Sequence, residues 1–261
     1  METKASEKPE QSKSKTSLIG PLDLTKEAFI IYKNNFNNFF PLYLAFGLVS
    51  ALSDISNSLV KAKFLPFPLP LISSLVIVAL SLYLTIVFIL TLKKKIKNIE
   101  LIDKEAMSKI WPVFLLELLT GLILLGGIIL LIIPAFLFAT WYMFGMYVLL
   151  SENLGIQTSL SRSKFYVKGH FWEVFRTQFS FGFLTMIFYL VILFIFGAVK
   201  GLFFPMIMPQ QLVINLVNAI ITIPLAGFIS PLGIIYVFQL YKHLKAISPA
   251  QITTEKTPKN S

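Results

Sequence analysis

Between positions 118 and 151 the chain runs for 34 residues without a charged side chain. One straight helix over that stretch would be ~51 Å long at about 1.5 Å per residue, whereas bilayer hydrocarbon is about 30 Å thick and about 20 residues cross it. Pro134 stands near the middle, with Gly126 and Gly127 ahead of it, so the stretch reads as a tight hairpin of two membrane-crossing helices. Apolar runs lie at 39–59, 69–92, 111–133, 135–150, 174–199 and 211–240, which predicts an all-α integral membrane protein with six transmembrane helices. Composition agrees: 56% of residues are hydrophobic and 14% charged, against about 45–50% and about 25% in soluble domains. Both the soluble globular class and disorder, which needs low hydrophobicity, are excluded. Glu117 interrupts the third run. The 15 Leu, Ile, Val or Phe residues at 113–132, at about −0.3 to −0.6 kcal/mol each, outweigh the roughly +3 kcal/mol of a central charge, so that run still inserts.

The formal net charge of +10 belongs to topology rather than to nucleic acid. Of 23 Lys and Arg, 20 fall before the first run, after the second, after the fourth or after the sixth. Lys61, Lys63 and Lys200 alone fall in the other loops. Short basic loops stay cytoplasmic, so the alternation predicts a multi-pass protein of the cell membrane with both termini cytoplasmic and the basic residues against anionic lipid headgroups. No nucleic-acid partner is expected. Positions 1–20 read as a disordered basic and polar tail, 21–245 as the membrane domain, and 246–261 as a second polar tail. The chain has no cysteine, so disulfides, thiolate metal sites and cysteine nucleophiles are out.

Three spans follow similar material: Leu24 to Lys33, Lys104 to Pro112, and Ser159 to Trp172. Each reads as a short amphipathic surface helix, with basic residues outward and aromatics at headgroup level. The pattern is that of three repeated units, each a surface helix feeding a helical hairpin.

Polar residues within spans are functional suspects. Glu117 lies six residues past Trp111 and Arg176 four past Trp172, at similar depths on the third and fifth helices, so an intramembrane Glu117–Arg176 pair is expected. It would either hold helices together or line a polar cavity. On the sixth helix Asn215, Asn218 and Thr222 share one face at i, i+3 and i+7, near Pro224, Gly227 and Pro231. Such a stripe fits either a transporter's broken helix or a simple proline kink. Catalytic, nucleotide-binding and zinc motifs are missing from the sequence, so no catalytic residue, cofactor or metal is expected.

One stretch carries a resemblance: Ile132, Ile133, Pro134 and Phe136 through Trp141, then Glu152, Asn153 and Gly155, then Arg162 and Ser163, then Lys168, Gly169 and Trp172. It resembles the glycerophosphodiester phosphodiesterase membrane-domain family, in particular its stand-alone multi-pass relatives. The resemblance implies a membrane fold. Where such domains are fused to an enzyme, the chemistry belongs to a separate soluble domain, and no extramembrane segment here is long enough for one. Read physically, Glu152, Arg162, Lys168 and Gly169 form a candidate cytoplasmic loop clamp. Arg162 is placed to pair with Glu152, Thr158 or Ser159 to cap the intervening helix, and Gly169 to end it in a left-handed conformation. The expected function is that of a non-enzymatic scaffold or interaction module in membrane or lipid homeostasis. The alternative is a small transporter or channel with a path lined by helices three, five and six.

Overall fold

The computed structural model describes residues 18–61, 68–94, 99–130, 132–203 and 211–248; the tails at 1–17 and 249–261 lie outside them. Among the described residues the secondary structure is helical throughout: α1 (Pro21–Asn34), α2 (Phe36–Lys61), α3 (Leu69–Lys94), α4 (Ile99–Leu130), α5 (Ile132–Tyr142), α6 (Gly145–Glu152), α7 (Ile156–Lys168), α8 (Phe171–Phe203) and α9 (Gln211–Ile247). Six stretches are long and apolar enough to cross a bilayer: Phe36–Asn57, Leu69–Lys94, Ile102–Leu130, Ile133–Glu152, Phe171–Ile195 and Ile223–Ile247. The chain has an all-α multi-pass membrane fold.

The hairpin read at Pro134 closes between α4 and α5. A Cβ on Gly127 would meet the Ala135 backbone at 2.9 Å, so only glycine permits the two legs so close. Two expectations are corrected. The span after the hairpin is not one helix but two, α5 and α6, broken at 143–144. The second amphipathic segment is not separate, because it runs straight into its span as α4. Of the two alternatives for the last span, the broken helix is not found: α9 continues as one α-helix through Pro224 and Pro231.

The bundle is dense at one end and loose at the other. Buried residues gather in α1, the late turns of α3 (Ile86 to Leu90), α6 and the late turns of α9 (Ile235 to Leu244). Aromatic rings tie these elements together. Tyr32 of α1 stacks on Tyr43 of α2 at 4.5 Å and meets Phe228 of α9 edge-on at 5.0 Å, while Phe39 meets Phe88 of α3 at 5.4 Å. In the opposite half, apolar side chains such as Leu75, Ile129 and Phe194 are exposed, as helices facing lipid require. The main crossing is between α2 and α9. A Cβ on Gly47 would lie 2.2 Å from the Ile223 carbonyl oxygen, and one on Gly227 would lie 2.6 Å from that of Tyr43. Gly47 and Ala51 are one turn apart on α2, the small-xxx-small spacing that lets membrane helices touch backbone to backbone.

Candidate functional site

Polar chemistry concentrates at the dense end, around Glu152. This residue closes α6 with its side chain 6% exposed, deep enough that an unmet carboxylate would be costly. Both oxygens are engaged. Oε1 accepts from the hydroxyls of Tyr166 and Tyr241 at 2.8 Å each and from Lys245 Nζ at 3.1 Å, and Oε2 accepts from Arg162 Nη1. Three donors thus converge on Oε1 and one on Oε2. The donors come from α7 (Arg162, Tyr166) and α9 (Tyr241, Lys245), so one side chain clasps three helices. The carboxylate holds the Arg162 guanidinium above its ordinary pKa, while burial, reinforced by the Glu152 charge, pushes the Tyr166 hydroxyl up. Glu152 is therefore enclosed by two cations and two hydroxyls.

Neighbouring bonds extend this layer. Lys93 at the end of α3 donates to the Leu150 carbonyl at 2.9 Å, meeting one of the acceptors a helix C-terminus leaves open. Asn153 follows with φ 57° and ψ 41°, a left-handed position that asparagine tolerates, and accepts from Lys109 of α4. Glu27 of α1 accepts from Gln239 Nε2 at 2.9 Å, and its other oxygen lies 2.9 Å from His243 Nε2. Glu173 at the start of α8 accepts from the Leu18 amide at 3.1 Å. Both histidines thus have carboxylate neighbours, His170 lying 3.4 Å from Glu173.

The break between α5 and α6 is met by a side chain from α7. Ser163, fully buried, donates to the Trp141 carbonyl at 2.6 Å and accepts from the Phe144 amide at 3.2 Å. Its hydroxyl replaces the backbone bonding that the interruption removes. Periodicity carries no mark of it, because the break is flanked by apolar and aromatic residues like those on either side.

The other residues singled out from sequence fall as follows. Lys168 and Gly169 are exposed at the end of α7, outside the clasp. Gly169 is right-handed, at φ −80°, so it is not the left-handed stop expected; α7 starts after Gly155 without a side-chain cap, which corrects the cap placed at Thr158 or Ser159. Glu117 on α4 and Arg176 on α8 are both exposed, and among the described residues no hydrogen bond or ion pair joins them. The reason is the packing order: α5, in contact with both α4 and α8, stands between them. Asn215, Asn218 and Thr222 lie on α9, but their side chains are outside the described residues. Among the described residues no three of His, Asp and Glu gather where one metal ion could be held.

The loose half holds a cavity of about 480 Å³ between α2, α8 and α9. Ser50 and Asp54 from α2, Gly182, Thr185 and Tyr189 from α8, and Ser230 from α9 line it, with apolar side chains between them. It exists because α8 leans on α9 over a short length. Phe181 stacks on Tyr236 at 4.0 Å and the Tyr236 hydroxyl donates to the Thr177 carbonyl at 2.9 Å. Further along, Leu184 to Ile195 are largely exposed.

No family model, curated protein or solved structure matches the chain.

Proposed function

We propose that this chain is a non-enzymatic multi-pass protein of the cell membrane, a scaffold or interaction module in membrane or lipid homeostasis with both termini cytoplasmic. One observation carries the reading. The charged groups that pack into the bundle's dense end serve as fasteners: both oxygens of Glu152 are engaged by four donors from α7 and α9, and Lys93 at the end of α3 meets the Leu150 carbonyl near the end of α6. A catalytic acid or a transport site needs a polar group that changes partner or proton during its cycle, and Glu152 is locked. The basic residues left at that end, such as Lys168, are placed for anionic headgroups, each worth about 1 kcal/mol near such a surface. The likeness to the glycerophosphodiester phosphodiesterase membrane-domain family, which rests on the sequence around Glu152, Arg162 and Ser163, is part of the same reading.

Single cysteines in the cysteine-free chain test the reading. Gly155→Cys is expected to react with a membrane-impermeant thiol reagent only from the cytoplasmic side, and Lys63→Cys only from the other. Thr140→Cys, buried within a span, is expected to react from neither. Reversed reactivity of the first two overturns the orientation. Reaction at position 140 reveals a water-filled path and replaces the scaffold with the transporter reading, which at present draws its support from the cavity beside α8 and α9.

A further inference from the structure

We infer that the chain forms a twofold symmetric dimer within the bilayer, in which Glu117 of each copy pairs with Arg176 of the other across the outer wall of α4, α5 and α8. These helices stand side by side, α5 touching both neighbours. Each turns apolar side chains outward: Leu118 and Leu122 on α4, Ile133 and Phe136 on α5, Phe179 and Phe183 on α8. The wall also carries two exposed charges of opposite sign, Glu117 on its first helix and Arg176 on its third. Arg176 stands in the exposed stripe of Trp172, Phe179 and Phe183, whose spacing of i, i+4, i+7, i+11 marks one helix face. Both charges lie in stretches long and apolar enough to cross the membrane, Ile102–Leu130 and Phe171–Ile195, where ionisable groups pair with one another or turn to a polar interior. An arginine can extend its head back to the phosphates. The shorter Glu117 has no such reach, and among the described residues no cation pairs with it.

Depth agrees with the pairing. Thr177, next to Arg176, accepts from Tyr236 of α9 at 2.9 Å. Leu116, next to Glu117, lies against Gly145, and the ring of the adjoining Phe144 is 6.4 Å from that of Tyr241 of α9. Tyr236 and Tyr241 are five residues apart, about 7.5 Å along the helix, a gap that the arginine and glutamate side chains span together. As the third and fifth crossings, α4 and α8 run the same way, so an axis along the bilayer normal sets α4 of one copy beside α8 of the other at unchanged depth. Twofold symmetry needs a self-complementary patch, in which residue i meets j and j meets i. An acid on one flank of an apolar strip and a base on the other meet that need, since the rotation lays α5 on its copy and carries each acid to the opposite base. A different partner would have to bring both charges; a second copy has them already. The pairing requires only that α4 and α8 cross the membrane, so it goes beyond the scaffold reading without depending on it.

The test is Förster transfer between copies of the full chain, labelled with donor or acceptor at the C-terminus, reconstituted in neutral phospholipid liposomes and diluted with lipid. Wild-type chains are expected to associate as dimers. Glu117→Arg presents two bases and Arg176→Glu two acids, so each variant alone is expected to lose transfer. Mixed together they are expected to regain it, because both contacts of the mixed dimer again join an acid to a base. Neither a lipid contact nor a bond within one chain produces that recovery, and misfolded variants do not show it. The milder Glu117→Gln and Arg176→Gln, which remove charge without reversing it, are each expected to weaken association about tenfold, since symmetry makes every substitution count twice. Wild-type monomers at every lipid ratio overturn the dimer. No recovery on mixing reversal variants that melt as the wild type does, or glutamine variants that associate as tightly as the wild type, overturns the pairing.

Discussion

The residue on which most depends is Glu152. Removing one partner of a buried ion pair costs about 3–5 kcal/mol, because the other charge stays behind uncompensated. Here Glu152→Ala also leaves the Tyr166 and Tyr241 hydroxyls without their acceptor. We expect that variant to lose thermal stability by that amount in detergent and Glu152→Gln to lose less; a melting temperature unchanged in both would mean the clasp is dispensable. Tyr32 gives a pH-dependent counterpart. Burial pushes its hydroxyl up to about 12, above the ordinary value of about 10, so the fold favours the neutral form. That contribution to stability is complete below pH 10 and is lost as the pH climbs from 10 toward 12. Melting temperature should fall over that window, and Tyr32→Phe should flatten the fall; an identical slope in the variant would refute the assignment.

At the scale of elements, glycine positions decide how helices meet. Gly47 lies against the Ile223 backbone, so Gly47→Ala must push α2 and α9 apart, at about 1–3 kcal/mol. Gly121 has nothing near it, and Gly121→Ala should stabilise α4 by about 0.5–1 kcal/mol through lower backbone entropy. The two variants are expected to move melting temperature in opposite directions, and the same sign for both would contradict the crossing geometry. This contrast also marks where the sequence is legible. The six spans, the hairpin before Pro134 and the nearness of Arg162 to Glu152 follow from run length, proline placement and short spacing. The Glu117–Arg176 expectation fails because equal depth does not set which helices are neighbours, and α5 intervenes. The contributions of Tyr241 and Lys245 to the clasp come from about ninety residues away, a distance over which sequence spacing carries no information. The break at 143–144 is invisible because hydropathy measures composition, and the residues around the break are as apolar as those of an unbroken helix.

Across the whole molecule, stability is uneven. Buried contacts crowd toward the end that holds Glu152, while the outer part of α8 has solvent or lipid on nearly every side. Local opening follows contact density. Amides at Leu184 to Ile195 should therefore exchange with deuterium well before those at Leu84 to Thr91 of α3 in detergent micelles. Equal protection of the two segments would show that α8 is held by contacts beyond those described. A bundle fastened at one end and splayed at the other can change the volume between its loose helices while the clasp stays shut.

Ser163 has a consequence for how the protein is made. The amide of Phe144 and the carbonyl of Trp141 sit inside a membrane-crossing segment, where an unmet backbone group costs several kcal/mol. Their partner is translated about twenty residues later, on a helix outside the hydrocarbon. The fourth crossing therefore enters the bilayer unfinished, and its last backbone bonds close only when α7 folds back against it. Insertion and tertiary folding, usually separate stages for a membrane helix, are at this point one event.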